Sequence, residues 1–277
     1  MRDMGEIPMR VVSVGECTMD YYSDLQQEFV GGISLNFAVN CRRAGAETVS
    51  LVSCVGNDYA ARIIHKLANE GVDASHVKIQ PGPTARQNII VHPGGERVFP
   101  AGGYDTGVLA DYHLDSSDVR FVQSHNLLCV PFFKQIEPLF HQIMETIPFE
   151  GWRVADFLDL SDYDHDIQIV EQFSTKLKIA FLSGDRELAE ELQTLSRSTD
   201  CVIVVTLGAK GSVALTGGES IYEPAIKVAK AVDSTGCGDA FQAAFTVTYR
   251  RNRDLRRALQ SGSRQAARVL QHYGGTD

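Results

Sequence analysis

The chain has no apolar run that approaches the roughly 18 residues of a membrane-spanning helix, and its first ten residues lack the apolar core of a secretory signal. Nor is there an excess of basic residues: 26 Lys and Arg stand against 35 Asp and Glu, for a formal net charge of -9. Nucleic-acid binding depends on cations that neutralise phosphates, so this balance argues against a nucleic-acid partner. We therefore expect a cytoplasmic protein that acts on a small molecule.

Several catalytic motifs are also missing. The six cysteines form no C-x-x-C pair and no combination with histidine at metal-ligand spacing, which predicts reduced core thiols. The eight histidines occur singly, without an H-E-x-x-H motif. No Walker-type G-x-x-x-x-G-K-[ST] loop is present. No G-x-G-x-x-G follows the first predicted strand either, which disfavours a Rossmann dehydrogenase.

The chain does contain a regular alternation of strand and helix patterns. Apolar runs predict buried strands at 9–15, 48–55, 126–130, 153–157, 178–182 and 201–207. Helical patterns lie near 35–44, 59–69, 134–146, 166–176, 240–245 and beyond 254. Such alternation builds parallel sheets covered by helices. With 44% hydrophobic residues and no linker or repeat, residues 1–277 are predicted to form a single α/β domain.

The stretch DSTGCGDAF at 233–241 places two acids around three small residues, just ahead of an apolar helical run. Gly236 and Gly238 have no Cβ atoms to keep the backbone away from an anion, and the following helix would add its N-terminal amides. We interpret Asp239 as a general base for a hydroxyl that attacks a phosphate. Alone, however, such a stretch is more often a tight turn with the acid as a helix cap, so other stretches must decide.

Small and polar residues follow the first predicted strand. Asp20 lies beyond the end of that strand, where open α/β sheets bind ligands, although a turn or capping residue would look the same. Gly31 and Gly32 precede Asn36 at a predicted helix start. This arrangement favours close approach of the backbone to a ligand, with an asparagine that offers a donor and an acceptor to a polyol.

Two further stretches have alternative interpretations. The strand at 201–207 runs into the glycine-rich turn at 208–211, which fits a nucleotide loop or a hairpin. The acids Asp159, Asp162, Asp164 and Asp166 suit a metal-bound nucleotide, but a solvated loop is the more ordinary explanation.

The segment between 85 and 99 departs from the alternation of strands and helices. Its ARQNIIVH, PGGE and RVF runs predict a hairpin, and strand-like residues between Asp20 and Val30 are expected to pair with it. We interpret the segments near 18–32 and 84–104 as a small β lid. A lid suits phosphoryl transfer, which must keep water from competing with the acceptor hydroxyl.

Asp20, the Gly31-Gly32-x-x-x-Asn36 block, the TLGAKG loop and DSTGCGDAF occur in the order found in the ribokinase-like, or PfkB, sugar kinases. The chain resembles that family over nearly its whole length. The resemblance implies a central, mostly parallel sheet flanked by helices, with a small β lid. It also implies a sugar substrate, ATP and Mg²⁺, a monovalent cation in some members, and in many members a homodimer formed through the lid.

The resemblance further implies roles for individual residues. Asp239 is expected to be the catalytic base, and the amides of Gly236, Cys237, Gly238 and Asp239 to form the anion hole. The other implied positions are Asp20, Gly31, Gly32, Asn36 and Gln87 on the sugar, Thr206, Gly208, Gly211 and Ser183 on ATP, Glu187 at magnesium and Asp233 near a monovalent cation.

Within the family, TARQN at 84–88, RVF at 97–99 and the pattern from Tyr104 to Leu114 resemble the branch that phosphorylates fructosamines such as fructoselysine, at the 6-position. Fructokinase or another hexose or ribose kinase is the alternative. The chain departs from the family where Asn-x-x-Glu is usual, because Ser183 replaces the asparagine and Glu187 lies further along. That departure motivates a second alternative, a sugar- or nucleotide-binding regulator with impaired catalysis.

Overall fold

A computed structural model of the protein describes residues 8–276. The segment 1–7, where the sequence predicts no signal core, lies outside the described residues, as does residue 277. The strands are β1 Arg10–Val14, β2 Thr18–Tyr22, β3 Gln27–Gly31, β4 Thr48–Gly56, β5 Asp73–Gln80, β6 Arg86–Val91, β7 Arg97–Val98, β8 Tyr104–Asp105, β9 Leu127–Pro131, β10 Trp152–Asp156, β11 Ile179–Ser183, β12 Val202–Thr206, β13 Ser212–Thr216 and β14 Glu219–Glu223.

The α-helices are α1 Ile33–Arg43, α2 Ala60–Asn69, α3 Ser116–Gln123, α4 Glu137–His141, α5 Gln168–Ser174, α6 Arg186–Leu195, α7 Cys237–Asn252 and α8 Leu255–Val269. The helix predicted near 134–146 is present, but its hydrogen bonding changes along the segment, which begins as a 3₁₀ turn, continues as α4 and ends as a π turn. Pro138 lies in the first turn of α4, where its missing N–H costs no helical hydrogen bond. Within residues 8–276 no helix has the length and apolar character needed to cross a membrane.

The main sheet has nine strands in the order β14-β13-β12-β11-β10-β9-β1-β4-β5. All its pairs from β12 to β5 are parallel, and β12, β13 and β14 pair antiparallel. The six strands predicted for this sheet are all present, and the predicted mostly parallel sheet is confirmed. The glycine-rich turn at 208–211 connects β12 to β13, so the hairpin interpretation of this stretch is correct.

Helices cover both faces of the main sheet. On β1, Val11 packs with buried side chains of α1, α7 and α8, whereas Val12 and Val14 pack on the other face with α3, α4, α5 and α6. This arrangement follows from the period of two in a strand, which sends neighbouring side chains to opposite faces. Strands such as β12, with the sequence VIVVT, are buried on both faces and so appear as continuous apolar runs.

A second, smaller sheet lies outside this nine-stranded sheet. Its strands follow the order β3-β2-β6-β7, and β8 also pairs with β6. The central pair is parallel and sets Asp20 opposite Gln87. The predicted hairpin is formed by β6 and β7, with Ile90 opposite Val98.

Asp233 connects three distant parts of the chain. Its carboxylate is fully buried, and its Oδ2 atom accepts hydrogen bonds from the Tyr22 hydroxyl of β2 at 2.5 Å and from the Gly274 amide at 2.9 Å. Its Oδ1 atom accepts one from the Thr235 amide at 2.9 Å. A buried carboxylate is stable only when its oxygens have such donors, so this acid holds the second sheet and the C-terminal segment to the 233–241 stretch.

Removal of the Tyr22 hydroxyl should therefore destabilise the protein. We expect Tyr22→Phe to lower the free energy of unfolding by about 2 kcal/mol, because it takes one donor from a buried charged acceptor. Tyr21→Phe is the matched control: Tyr21 is the next residue and its ring contacts Arg86, so its loss should stay within about 0.5 kcal/mol. Urea-induced unfolding measures both, and equal losses would contradict the role given to Asp233.

Candidate active site

The main cavity, of about 540 Å³, lies between the two sheets. It opens at the carboxyl ends of β1, β9, β10 and β11, which is where parallel α/β sheets bind ligands. The second sheet contributes Asp20, Gln87 and Arg97, and the start of α7 contributes Gly236, Gly238 and Asp239. The cavity thus brings together stretches that are far apart in sequence.

The first turn of α7 presents free backbone donors to this cavity. Gly236 is the N-cap with a φ of 74°, a conformation that favours glycine, and a Cβ atom on it would overlap Gly275. The Cys237 amide donates to the Ser234 carbonyl at 3.2 Å. Among the described residues no acceptor takes the amides of Gly236, Gly238 or Asp239. Three amides rather than four are therefore available to an anion.

Asp239 is not a helix cap. It occupies the third position of α7, and the N-cap Gly236 carries no side-chain cap. The Asp239 Oδ2 atom instead accepts a hydrogen bond from Asn36 Nδ2 at 2.8 Å, which joins α1 to α7. The Asn36 Oδ1 atom is buried and has no hydrogen-bond partner among the described residues. A buried acceptor without a partner, beside a cavity, is a ready contact for a ligand hydroxyl.

The electrostatic setting of Asp239 suits a base that works near neutral pH. Burial raises the pKa of this carboxyl to about 8; the negative charge of Asp156 adds to the effect, and the Asn36 hydrogen bond opposes it. Burial also raises the pKa of Asp156 to about 6 and that of Asp20 to about 7. A proton acceptor with a pKa close to the working pH is the most effective general base.

On the acceptor side, Asp20 is buried and lines the cavity, and its Oδ1 atom accepts a hydrogen bond from Thr18 Oγ1 at 2.7 Å. Gly31 does not line the cavity; its missing side chain makes room for the Asp20 carboxylate, which a Cβ atom would overlap. Gly32 is the N-cap of α1 and does line the cavity. Gln87 lines it as well, with its Nε2 atom donating to the Asn88 carbonyl at 2.8 Å.

The cavity also contains residues to which the sequence assigned no role. Glu16 is buried beside Tyr104, with its Oε2 atom accepting a hydrogen bond from the Ile33 amide at 3.0 Å, and burial raises its pKa. The signal that the sequence offered was position: Glu16 lies two residues after the buried strand β1, and Asp156 ends the buried strand β10. The other cavity residues without a sequence-based role include Arg97, Tyr104, Gln135 and Gln242.

The expected nucleotide residues are more dispersed. Ser183 lines the cavity, and its hydroxyl lies 3.1 Å from that of Thr206. Thr206, Gly208 and Gly211 are outside the cavity lining, and Gly211 packs against Pro224. The chain that follows Pro224 forms one wall of a second groove, of about 350 Å³. That groove is lined by Ile226, Lys227, Val228, Ala229, Arg264, Ala267, Arg268 and Gln271.

The acids expected near metal ions differ in their surroundings. Glu187 is exposed in the first turn of α6 and does not line the cavity, and both oxygens of Asp233 accept protein hydrogen bonds. Asp159 and Asp162 line the cavity but are exposed, so both interpretations of this acidic cluster stay open. Within residues 8–276 no three His, Cys, Asp or Glu side chains form a metal cluster. Magnesium that arrives with a nucleotide needs only one or two carboxylates, so Asp159 and Asp162 fit such an ion.

The α/β fold and a cavity with a buried carboxyl beside free helix-terminal amides suit a class of enzyme that transfers a phosphoryl group to an alcohol. The chain belongs to the pfkB family of carbohydrate kinases, whose family model matches residues 9–135 and 171–277. It is 28% identical over 267 residues to fructoselysine 6-kinase of Escherichia coli (strain K12), covering 95% of this chain and 98% of that protein. It is 27% identical over 274 residues to fructosamine kinase FrlD of Bacillus subtilis (strain 168), covering 96% and 92%.

Solved structures show the same fold. A putative ribokinase II from E. coli in its apo form superposes with a TM-score of 0.80 at 18% identity, over 97% of this chain and 95% of that one. Ribokinase from Thermotoga maritima superposes with a TM-score of 0.74 at 20% identity, over 97% and 95%. The predicted ribokinase-like fold and the predicted carbohydrate kinase family are therefore confirmed.

The buried charge of Asp239 should make stability depend on pH. Its pKa in the folded protein, about 8, lies above the ordinary value of 3.8, so the protonated form stabilises the fold and this contribution is lost as pH rises through about 8. We expect Asp239→Asn to raise the melting temperature by at least ~2 °C at pH 9 and by less at pH 6. Exposed Asp24, changed to Asn, is the control and should show no such difference. Thermal melting at the two pH values tests this, and an equal gain at both would contradict it.

Proposed function

We propose that the protein transfers the γ-phosphoryl group of ATP to a hydroxyl of a sugar or fructosamine, with the 6-hydroxyl of a fructoselysine-like compound as the leading acceptor. One observation carries this proposal. Asp239, a buried carboxyl with a pKa of about 8, lies in the first turn of α7 beside three free amides and is held by Asn36. A base and an anion site in direct contact are what transfer of a phosphoryl group to a hydroxyl requires.

In the proposed reaction the acceptor lies among Asp20, Asn36 and Gln87, with one hydroxyl directed at Asp239. The hydroxyl oxygen forms a bond to the γ-phosphorus as the bond from that phosphorus to the β,γ-bridging oxygen breaks, and the hydroxyl proton passes to Asp239. ADP is the leaving group. The free amides of α7 donate to the oxygens of the transferred group and stabilise its charge.

The nucleotide would extend from the cavity toward the hairpin of β12 and β13. We propose that Thr206, Gly208, Gly211 and Ser183 border it, and that the second groove, with its cations Lys227, Arg264 and Arg268, receives its distal part. Bound magnesium would supply neutralisation of the phosphate charge. Asp159 and Asp162 are the carboxylates placed to hold it.

The second sheet would act as a lid on this reaction. We propose that the segments near 18–32 and 84–104 close over the acceptor, because they already supply Asp20 and Gln87 to the cavity. Val98 of β7 and Phe99, which follows that strand and also lines the cavity, are exposed at 38% and 49% of their surface. They offer an apolar surface for a second copy of the chain, so a homodimer through the lid forms part of the proposal.

Charge in the cavity supports an amine-bearing acceptor over a neutral hexose. In the described part of the chain, six acids line the cavity, which are Glu16, Asp20, Asp156, Asp159, Asp162 and Asp239. Glu16 and Asp20 are buried at the acceptor end. A buried negative charge is costly unless an opposite charge accompanies it, and the ammonium of a fructosamine provides that charge where fructose does not. Fructokinase activity is the alternative.

The proposed base is tested by Asp239→Asn. We expect kcat to fall by ~10²–10⁴-fold while the fold and nucleotide binding are retained, because the amide keeps the shape of the side chain but cannot take the proton. ADP release measures turnover, and calorimetry measures nucleotide binding. Asp24→Asn, at an exposed position, serves as the control. Near wild-type turnover of D239N would exclude Asp239 as the base, and wild-type protein that binds sugar without any ADP release would favour the regulator.

The proposed acceptor is tested by the ratio of kcat/KM for fructoselysine to that for fructose. We expect this ratio to exceed ~10 in the wild type and to fall toward 1 in Glu16→Gln, since the loss of one charge contact is worth a factor of this order. Fructose is the internal control, because its turnover should not change in E16Q. If E16Q loses both activities equally, Glu16 acts only on the α1 start through the Ile33 amide.

A further inference from the structure

We propose that Arg97 is a catalytic residue of the phosphoryl transfer, carried on the second sheet and positioned by Ser234 at the anion hole. This inference rests on the proposed kinase function. It adds a residue to the acceptor, base and amide contacts already described, and it gives the second sheet a chemical role besides the exclusion of water.

Within residues 8–276, Arg97 is the only lysine or arginine that lines the main cavity, where it is surrounded by six acids. An ATP-dependent reaction brings further negative charge to this cavity. The free amides are neutral donors, so a cationic side chain beside them would add positive charge that they do not supply. Arginine suits the task because its planar guanidinium carries five donors and keeps its charge at every relevant pH.

The positive charge of the Arg97 guanidinium acts on two residues at the start of α7, Cys237 and Asp239. Burial raises the pKa of Asp239 to about 8 and that of the Cys237 thiol to about 12, and the positive charge of Arg97 opposes both shifts. Cys237 is the first residue of α7, between the free amides. The charge of Arg97 therefore acts on the first residue of α7 as well as on the proposed base.

Ser234 holds the hairpin of β6 and β7 against the 233–241 stretch. The Ser234 amide donates to the Gly95 carbonyl at 2.7 Å, and the Arg97 amide donates to Ser234 Oγ at 3.1 Å. The Arg97 Nη1 atom donates to the Ser234 carbonyl at 3.4 Å. The contacts that dock the hairpin therefore also place the guanidinium. They are all made to Ser234, two residues before the N-cap of α7.

The tip of the hairpin is shaped for this contact. Gly95 is buried, with a φ of 82°, and a Cβ atom on it would come within 3.0 Å of the Ala231 backbone. A side chain at this position would hold the hairpin away from the 231–234 backbone. Arg97 would move with it, because only one residue separates the two.

In the reaction, Arg97 donates hydrogen bonds to the oxygens of the transferred group and neither gains nor loses a proton. The acceptor proton still goes to Asp239, and the bridging oxygen still leaves with ADP. Charge spreads over the equatorial oxygens of the phosphoryl group in the transition state, and an arginine placed there raises kcat by ~10³–10⁵-fold in GTPases. A residue that only docked the hairpin would act on acceptor binding and stability instead.

The test compares Arg97→Gln and Arg97→Lys with Arg86→Gln. Arg86 lies on β6 of the same sheet, where it contacts Tyr21 and Glu28 outside the cavity lining, so R86Q is the matched control. We expect R97Q to lose at least ~10²-fold in kcat, with less than a ~3-fold change in KM for the acceptor. R97K should be intermediate because it keeps the charge without the fork, and R86Q should stay within ~2-fold of the wild type.

Chemical rescue separates catalysis from structure. Added guanidinium ions at millimolar concentration should restore part of the turnover of Arg97→Ala, which a merely displaced hairpin would not allow. Ser234→Ala should lower kcat less than R97Q does, because the Arg97 Nη1 contact is to the backbone. R97Q turnover within ~3-fold of an active wild type overturns the role of Arg97 and leaves the kinase proposal intact. A wild type that releases no ADP contradicts the kinase proposal itself.

Discussion

The hydrogen bond from Asn36 Nδ2 to Asp239 Oδ2 is the contact on which the proposed site depends. It joins α1, which borders the proposed acceptor site, to the first turn of α7, which forms part of the proposed anion hole. Among the described residues Asn36 is the single side-chain donor to this carboxylate, so burial dominates and raises its pKa. A buried acid with few hydrogen-bond donors lowers the stability of the fold, and acids of this kind cluster at functional sites.

The two acids of the 233–241 stretch show how environment separates roles. Asp233 has three protein donors on its two oxygens and joins β2, the stretch itself and the C-terminal segment. Asp239, six residues later, faces the cavity, and its carboxylate has one donor, Asn36, within residues 8–276. The same side chain is thus a structural connector in one position and the proposed base in the other. The number of hydrogen-bond donors to each carboxylate accounts for the difference between the two roles.

The sequence predicted the buried strands of the main sheet better than the partly exposed strands at its edges. Strands such as β12 were predictable because burial on both faces gives a continuous apolar run. The strand β5, with the sequence DASHVKIQ, is half exposed and lacks that signal. The turn at 217–218 between β13 and β14 consists of two glycines, a pair that is typical of β-hairpins, and both have positive φ. Arg97 was beyond prediction as a site residue, because its position depends on Ser234, 137 residues away.

The most direct test of the account is a crystal structure with fructoselysine and a non-hydrolysable ATP analogue bound together. We expect one acceptor hydroxyl within ~3 Å of an Asp239 carboxylate oxygen, in line with the γ-phosphorus and the β,γ-bridging atom of the analogue, which is the geometry that proton and phosphoryl transfer require. The amides of Gly238 and Asp239 should point at the γ-phosphate. An acceptor hydroxyl that approaches the γ-phosphorus beside another carboxylate, with Asp239 more than ~5 Å away, would contradict the account.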